Sequence, residues 1–226
     1  MHATALLHLL QLASPSLPIG GYSYSQGLEA AMEKTLVTDT ASARLWLIGM
    51  LHDVVARFEA PILWRLLKAW SARDADAVRH WTELFLAGRD SAEFRAETVQ
   101  MGYSLTRLMS ELAIADPELQ AILDDLQEVP LPAALAFAAV ALDIPAEATL
   151  LGMLFSWAEN QVLVCVKSVP LGQVAGQRLL LSLRPELEAA ARTAQALEDD
   201  EISNWSPGLS LLSMQHEAQY SRLYRS

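Results

Sequence analysis

The stretch that most restricts the fold runs from Pro145 to Lys167. After its opening proline it reads A-E-A-T-L-L-G-M-L-F-S-W-A-E-N-Q-V-L-V-C-V-K, apolar almost all round at helical spacing. Proline suits the first turn of a helix, where the N–H it lacks has no intrahelical partner. A helix that is apolar on every side must be covered by other helices, so this one belongs in the middle of a bundle. Only residues 162–166 compete as a strand, and they sit inside the longer helical period.

The rest of the chain supplies the covering helices. Leu6, Leu9, Leu10 and Ala13 share a face of an opening helix that ends before Pro15 and Pro18. Ser14 to Gly21, S-P-S-L-P-I-G-G, holds two ring-locked positions and two glycines, so it is irregular. Ser23 with Gln26 three residues on is a capping-box pattern for a helix through Met32. Residues 38–40 open the next, with Leu45, Ile48, Leu51, His52, Val55 and Phe58 at helical spacing and Pro61 breaking or kinking it. Further starts fall at Asp74, at Asp90 with Glu93, at Asp116-Pro117, and at Pro132, Pro145, Pro170 and Pro185. An acidic linker at 198–201 and a Pro-Gly hinge at 204–208 precede a final short helix over 209–221. The expectation is an all-α, single-domain bundle of about eight to ten helices over 1–226. Within it, 1–22 form the N-terminal segment and loop, and 198–226 the acidic linker and C-terminal docking tail.

Charge and cysteine narrow the function. Acidic residues number 27 against 16 basic, for a net charge of -11. Such a surface repels phosphate backbones, which argues against nucleic-acid or anionic-membrane partners. A lone cysteine, Cys165, allows no internal disulfide and no cysteine-based zinc cluster. The first twelve residues have no Lys or Arg, making a poor secretory signal, and the longest apolar run, 131–142, is too short to span a membrane. The expectation is a soluble, cytoplasmic protein.

Catalytic patterns are absent or spoiled. Gly21-Tyr22-Ser23-Tyr24-Ser25 misses the last glycine of a nucleophile elbow. His216-Glu217 starts a zinc motif that fails at Tyr220, so His216 reads as a surface or interface residue. His2, His8, His52 and His80 stand one per segment, and no Gly-rich phosphate loop exists. Cofactors are therefore expected to be none on this chain.

Three features exceed what a plain bundle requires. Residues 15–29 place two tyrosines, serines and Gln26 at a constrained helix entry. Glu159, Asn160, Gln161 and Lys167 are costly in an apolar helix unless paired or exposed. Gly172 and Gly176 suggest close backbone approach, either internal or at a dimer contact. The ending Q-H-E-A-Q-Y-S-R-L-Y-R-S is dense in Tyr and Arg, the side chains enriched at binding hot spots.

Together these stretches resemble the UreF family of urease accessory proteins. The motifs are L-L-Q-L-A-S-P-S-L-P-I-G-G-Y-S-Y-S-Q-G-L-E, S-W-A-E-N-Q-V…V-K-S-V-P-L-G-Q and H-E-A-Q-Y-S-R-L-Y-R-S, in family order. Ala30 and Tyr224 depart from it, standing where an aromatic residue and Phe are more usual. The resemblance implies an all-helical homodimer acting as a nickel-insertion chaperone rather than an enzyme. Its implied partners are the accessory protein UreD (also called UreH), the GTPase UreG and the urease apoprotein, with nickel and GTP handled by those partners. The residues it points to for partner binding are Tyr22, Ser23, Gln26, Glu29, Lys167, His216, Tyr220, Arg222 and Arg225. Two alternatives stay open: a small helical enzyme with an acid–base pocket around Glu159 and Lys167, and an interaction bundle unrelated to nickel.

Overall fold

The computed structural model describes residues 1–169 and 171–225. Pro170, the expected start of a helix, lies outside them, as does the last residue of the terminal motif, Ser226. The described residues form α1 (Ala3–Leu12), α2 (Leu28–Glu33), α3 (Thr40–Met50), α4 (Ala60–Ala72), α5 (Ala75–Ala87) and α6 (Ala92–Glu111). They continue with α7 (Pro117–Asp124), α8 (Leu131–Ala141), α9 (Ala146–Ser168), α10 (Gln173–Ser182), α11 (Arg184–Ala196) and α12 (Pro207–Glu217). The fold is all-helical, with no strand among the described residues. Twelve α-helices are described, against the eight to ten expected, and a π-helical segment, Leu51–Glu59, joins α3 to α4.

Local chemistry sets most of the helix starts. The Asp39 carboxylate accepts from Ser42 N–H at 2.8 Å, Asp74 from Ala77 N–H at 3.0 Å and Asp116 from Leu119 N–H at 2.9 Å. Each supplies an acceptor to an N–H that the helix leaves unpaired. Asp90 does not cap α6; Ser91 does, accepting from Phe94 N–H. Nor does Pro61 break its helix. The preceding residues, Leu51–Glu59, widen into the π form, Pro61 follows in the first turn of α4, and the Arg57 carbonyl four residues before it accepts from Ser203 N–H at 3.1 Å.

One contiguous apolar cluster runs through α2–α11 and on to Leu212 of α12 and Tyr224. Its centre is α4 against α8, where Ala133, Ala134, Ala136, Phe137, Ala138 and Ala139 are buried and Trp70 meets Phe137 edge-on at 5.3 Å. α6 closes on α8 through Gly102, where a Cβ would lie 1.9 Å from the Val129 carbonyl oxygen. Gly176 answers the question of close approach for itself. Its missing side chain makes room for Val166 of α9, so that contact is internal.

α9 packs against α1, α2, α3, α4, α8, α10 and α11, as its composition requires. It is long and apolar enough to cross a membrane by length and composition, yet here it is the bundle's core helix. One flank does face outward, with Leu151 and Phe155 exposed. The face assigned to α1 is also corrected. Leu6 and Leu10 point to solvent with Leu7, while Ala5 is buried and Leu9 fills the notch at Gly152. α1 is apolar on more than one side and packs mainly on a single helix, so its sequence could not fix which side turns inward. Leu45 is exposed for a similar reason: α3 buries Ala43 and Leu47 instead.

Candidate functional site

The three unusual stretches meet in one place. The irregular loop after α1 ends in a short 3₁₀ turn, Gly21–Ser23, and two left-handed residues, Gln26 (φ 55) and Gly27 (φ 81), lead into α2. Gly27 is required twice over. Its φ favours glycine, and a Cβ would come within 2.8 Å of Leu209 on α12. The capping box expected from Ser23 and Gln26 therefore does not form, and the helix begins at Leu28.

α9 reads this loop residue by residue. Tyr22 OH donates to Glu159 Oε2 at 3.0 Å, Asn160 Nδ2 to the Tyr24 carbonyl at 2.9 Å, and Gln161 Nε2 to the Ser25 carbonyl at 3.2 Å. Trp157 Nε1 donates to Gln26 Oε1 at 2.9 Å, and Gln26 Nε2 donates onward to Glu97 Oε1 of α6 at 2.7 Å. Asn160 and Gln161, two of the polar residues that looked costly in an apolar helix, thus serve the backbone of a loop that makes no ladder of its own, while Glu159 takes the Tyr22 hydroxyl. Burial first, then the bond to the Glu159 carboxylate, pushes the Tyr22 phenol well above its ordinary range.

The chain's last residues close over the same loop. Glu29, buried in the first turn of α2, accepts from the N–H of Leu223 at 2.7 Å and of Tyr224 at 3.0 Å. His216 on α12 places Nε2 3.1 Å from Glu29 and Nδ1 2.8 Å from Glu93 of α6. Arg222 donates to the other oxygen of Glu93 at 2.7 Å, and Arg225 N–H to the Ser23 carbonyl at 2.8 Å. Ser91 and Ser213 share a buried hydroxyl bond of 2.7 Å, and Ser210 donates to Asp90. Residues 207–225 are thus a strap across α2 and α6. Burial also raises the Tyr224 hydroxyl pKa, and its ring lies 6.0 Å from Lys167 Nζ.

Of the residues expected to matter, Gln26, Glu29 and His216 lie inside this clasp, and His216 is fully buried rather than at the surface. The reason is its pair of carboxylate partners, one on each neighbouring helix. Tyr22 and Ser23 are half-buried, whereas Lys167, Tyr220, Arg222 and Arg225 are exposed around it. Sequence reasoning missed Glu93 and Glu97 as members. They stand four apart, on one face of α6, but Glu93 reads equally well as a helix-entry residue. Glu159 and Lys167 do not share a pocket. Eight residues of helix separate them by about 12 Å, Glu159 is engaged by Tyr22, and the cavity of about 140 Å³ under the loop is lined by neither. Cys165 is buried, which pushes its thiol up to about 12, and so it is inert. Among the described residues no group of three or more His, Cys, Asp or Glu side chains is placed to hold a metal ion.

The fold and site define an all-helical bundle in which polar residues fasten a loop and a strap, with exposed aromatic and basic residues around the fastening. The chain belongs to the UreF family, whose profile matches residues 37–184. It is 73% identical over 226 residues, all of both chains, to the urease accessory protein UreF of Janthinobacterium sp. (strain Marseille). It is 65% identical over 222 residues, 98% of both chains, to that of Nitrosospira multiformis. It is 51% identical over 223 residues, 98% of this chain and 95% of the relative, to that of Azoarcus sp. (strain BH72). The relatives are named as accessory proteins and not as enzymes, and this chain is one of them. The profile match includes α9 but neither the loop nor the strap, whereas the relatives extend over both.

Proposed function

We propose that this protein bridges the apo-urease–UreD assembly and the GTPase UreG during GTP-dependent nickel insertion, as a cytoplasmic homodimer, and modulates the GTPase. The whole chain works as one domain and needs no cofactor, since nickel is cargo and GTP is bound by the partner. Its contribution is to hold partners in register, which lowers the entropic cost of their meeting. The observation that supports this most is the convergence of three distant stretches on one clasp, with Lys167, Tyr220, Arg222 and Arg225 exposed around it in an acidic protein. These four are the contact residues of the proposal, with Lys167 facing the GTPase. Tyr22, Ser23, Gln26, Glu29 and His216 act by shaping the surface the others present.

Co-purification tests it. Deleting residues 214–226 should abolish capture of the accessory partners and urease activation, while Arg222→Ala and Lys167→Ala should weaken capture with the bundle intact. Unchanged pull-down and activation by the deletion variant would sink the proposal.

A further inference from the structure

Donor counting fixes the charge of His216. Carboxylate oxygens only accept hydrogen bonds, while a neutral imidazole offers one N–H and one bare nitrogen. Both ring nitrogens face carboxylate oxygens, at 2.8 and 3.1 Å, so with both glutamates ionised both bonds exist only when the ring is an imidazolium. Charge balance agrees. Glu29 and Glu93 are offset by Arg222 and a protonated His216, and a neutral ring would leave the cluster one negative charge in excess. The ring has no exposed surface through which water could replace a lost partner. The two N–H donors of the strap also bind Glu29, so the carboxylate joins the ring to residues 223 and 224.

We propose that His216 is a proton-operated latch on the strap. Doubly protonated, it fastens residues 216–225 to α2 and α6; when it loses one proton, they let go. The surface carrying Tyr220, Arg222 and Leu223 is then no longer held in shape, so a proton is in effect a co-ligand for any protein that docks there. This rests on the adaptor reading for its meaning in an assembly, but the latch is a property of the chain alone. The charged and titratable groups facing it are Glu29 from α2, Glu93 from α6 and Arg222 from the strap. Lys167 from α9 stands beyond the Tyr224 ring. Asp90, at the entry to α6, is engaged by Ser210.

A doubly protonated ring offers an N–H to each carboxylate and a neutral ring to only one, so the strap is fastened at lower pH and let go at higher pH. Tyr224, whose own titration burial moves upward, stays protonated across that interval.

The test is site-resolved NMR on the full chain. At about pH 6.5 both His216 nitrogens should be protonated, with the Leu223 and Tyr224 amides protected from exchange; by about pH 9 their protection should fall at least about tenfold beyond intrinsic base catalysis, while α8 is unchanged. His216→Gln should leave these amides open at both pH values. Glu93→Gln, which keeps the shape and removes one carboxylate, should move release to lower pH. A neutral His216 ring at about pH 6.5, or equal strap protection at both pH values, overturns the latch. Opening with pH while partner capture stays constant leaves the latch standing and refutes the adaptor role of the strap; the reverse outcome refutes the latch alone.

Discussion

Where α4 meets α8, the contact is alanine methyls, Phe137 and Trp70, a surface with few polar atoms and no charge. At the clasp the buried side chains of Leu209, Leu212 and Tyr224 are joined by directed hydrogen bonds, and several of these carry charge. The first is held by buried area, which is indifferent to pH and salt and fails only with the whole fold. The second depends in addition on a few donors and acceptors, so it can open while the bundle stands. A protein that must keep its shape and still change its exterior needs both kinds of attachment in different places.

The contrast can be broken experimentally. Phe137→Ala should cost about 3–5 kcal/mol of global stability, measured by denaturant unfolding. A loss below about 1 kcal/mol would mean that area does not govern the centre. Glu29→Ala should cost up to about 3 kcal/mol, because it strands two backbone N–H groups and a buried cation, but the loss should appear as strap opening rather than bundle unfolding. If the whole chain melts instead, the two regions are one cooperative unit. Asn160→Ala leaves the Tyr24 carbonyl unpaired and should cost about 1–3 kcal/mol, seen as faster amide exchange in the 21–27 loop. Tyr22→Phe, at a half-buried hydroxyl, should cost about 0.5–1.5 kcal/mol.

The smallest expected effect is nil at neutral pH. Cys165 binds its proton more tightly folded than unfolded, since burial moves it from 9.0 to about 12. Its contribution is complete below pH 9.0 and is lost as pH rises toward about 12, with Tyr22 and Tyr224 acting in the same direction from 10.0 upward. Cys165→Ala should flatten the first part of that alkaline decline in a pH series of denaturation midpoints. An unchanged slope would assign the decline to the tyrosines.

What could be read from the sequence was what local chemistry decides. Asp39, Asp74 and Asp116 announce their helices because the N–H groups they accept lie three residues away. The composition of α9 announced its central position for the same reason. Ser23 and Gln26 offered an equally good local pattern and were overruled. Gln26 reaches Glu97 and Trp157 instead, 71 and 131 residues away. His216 looked like a surface residue because its partners lie 123 and 187 residues upstream, and nothing near it in sequence hints at two carboxylates. The motifs marked residues that converge in the fold; only the folded chain shows that most of them address one another.

Glu29 takes its three bonds from residues 187, 194 and 195 positions later in the chain. During synthesis α2 can form early and pack on the bundle, yet its carboxylate stays unmatched until residue 224 has left the ribosome. Every helix from α3 to α11 can be in place before then. The clasp therefore cannot close before the strap has emerged, whereas the contacts among α3 to α11 can. A product truncated before His216 would keep a folded centre while presenting an unfastened end, a difference that any partner gripping that end would register.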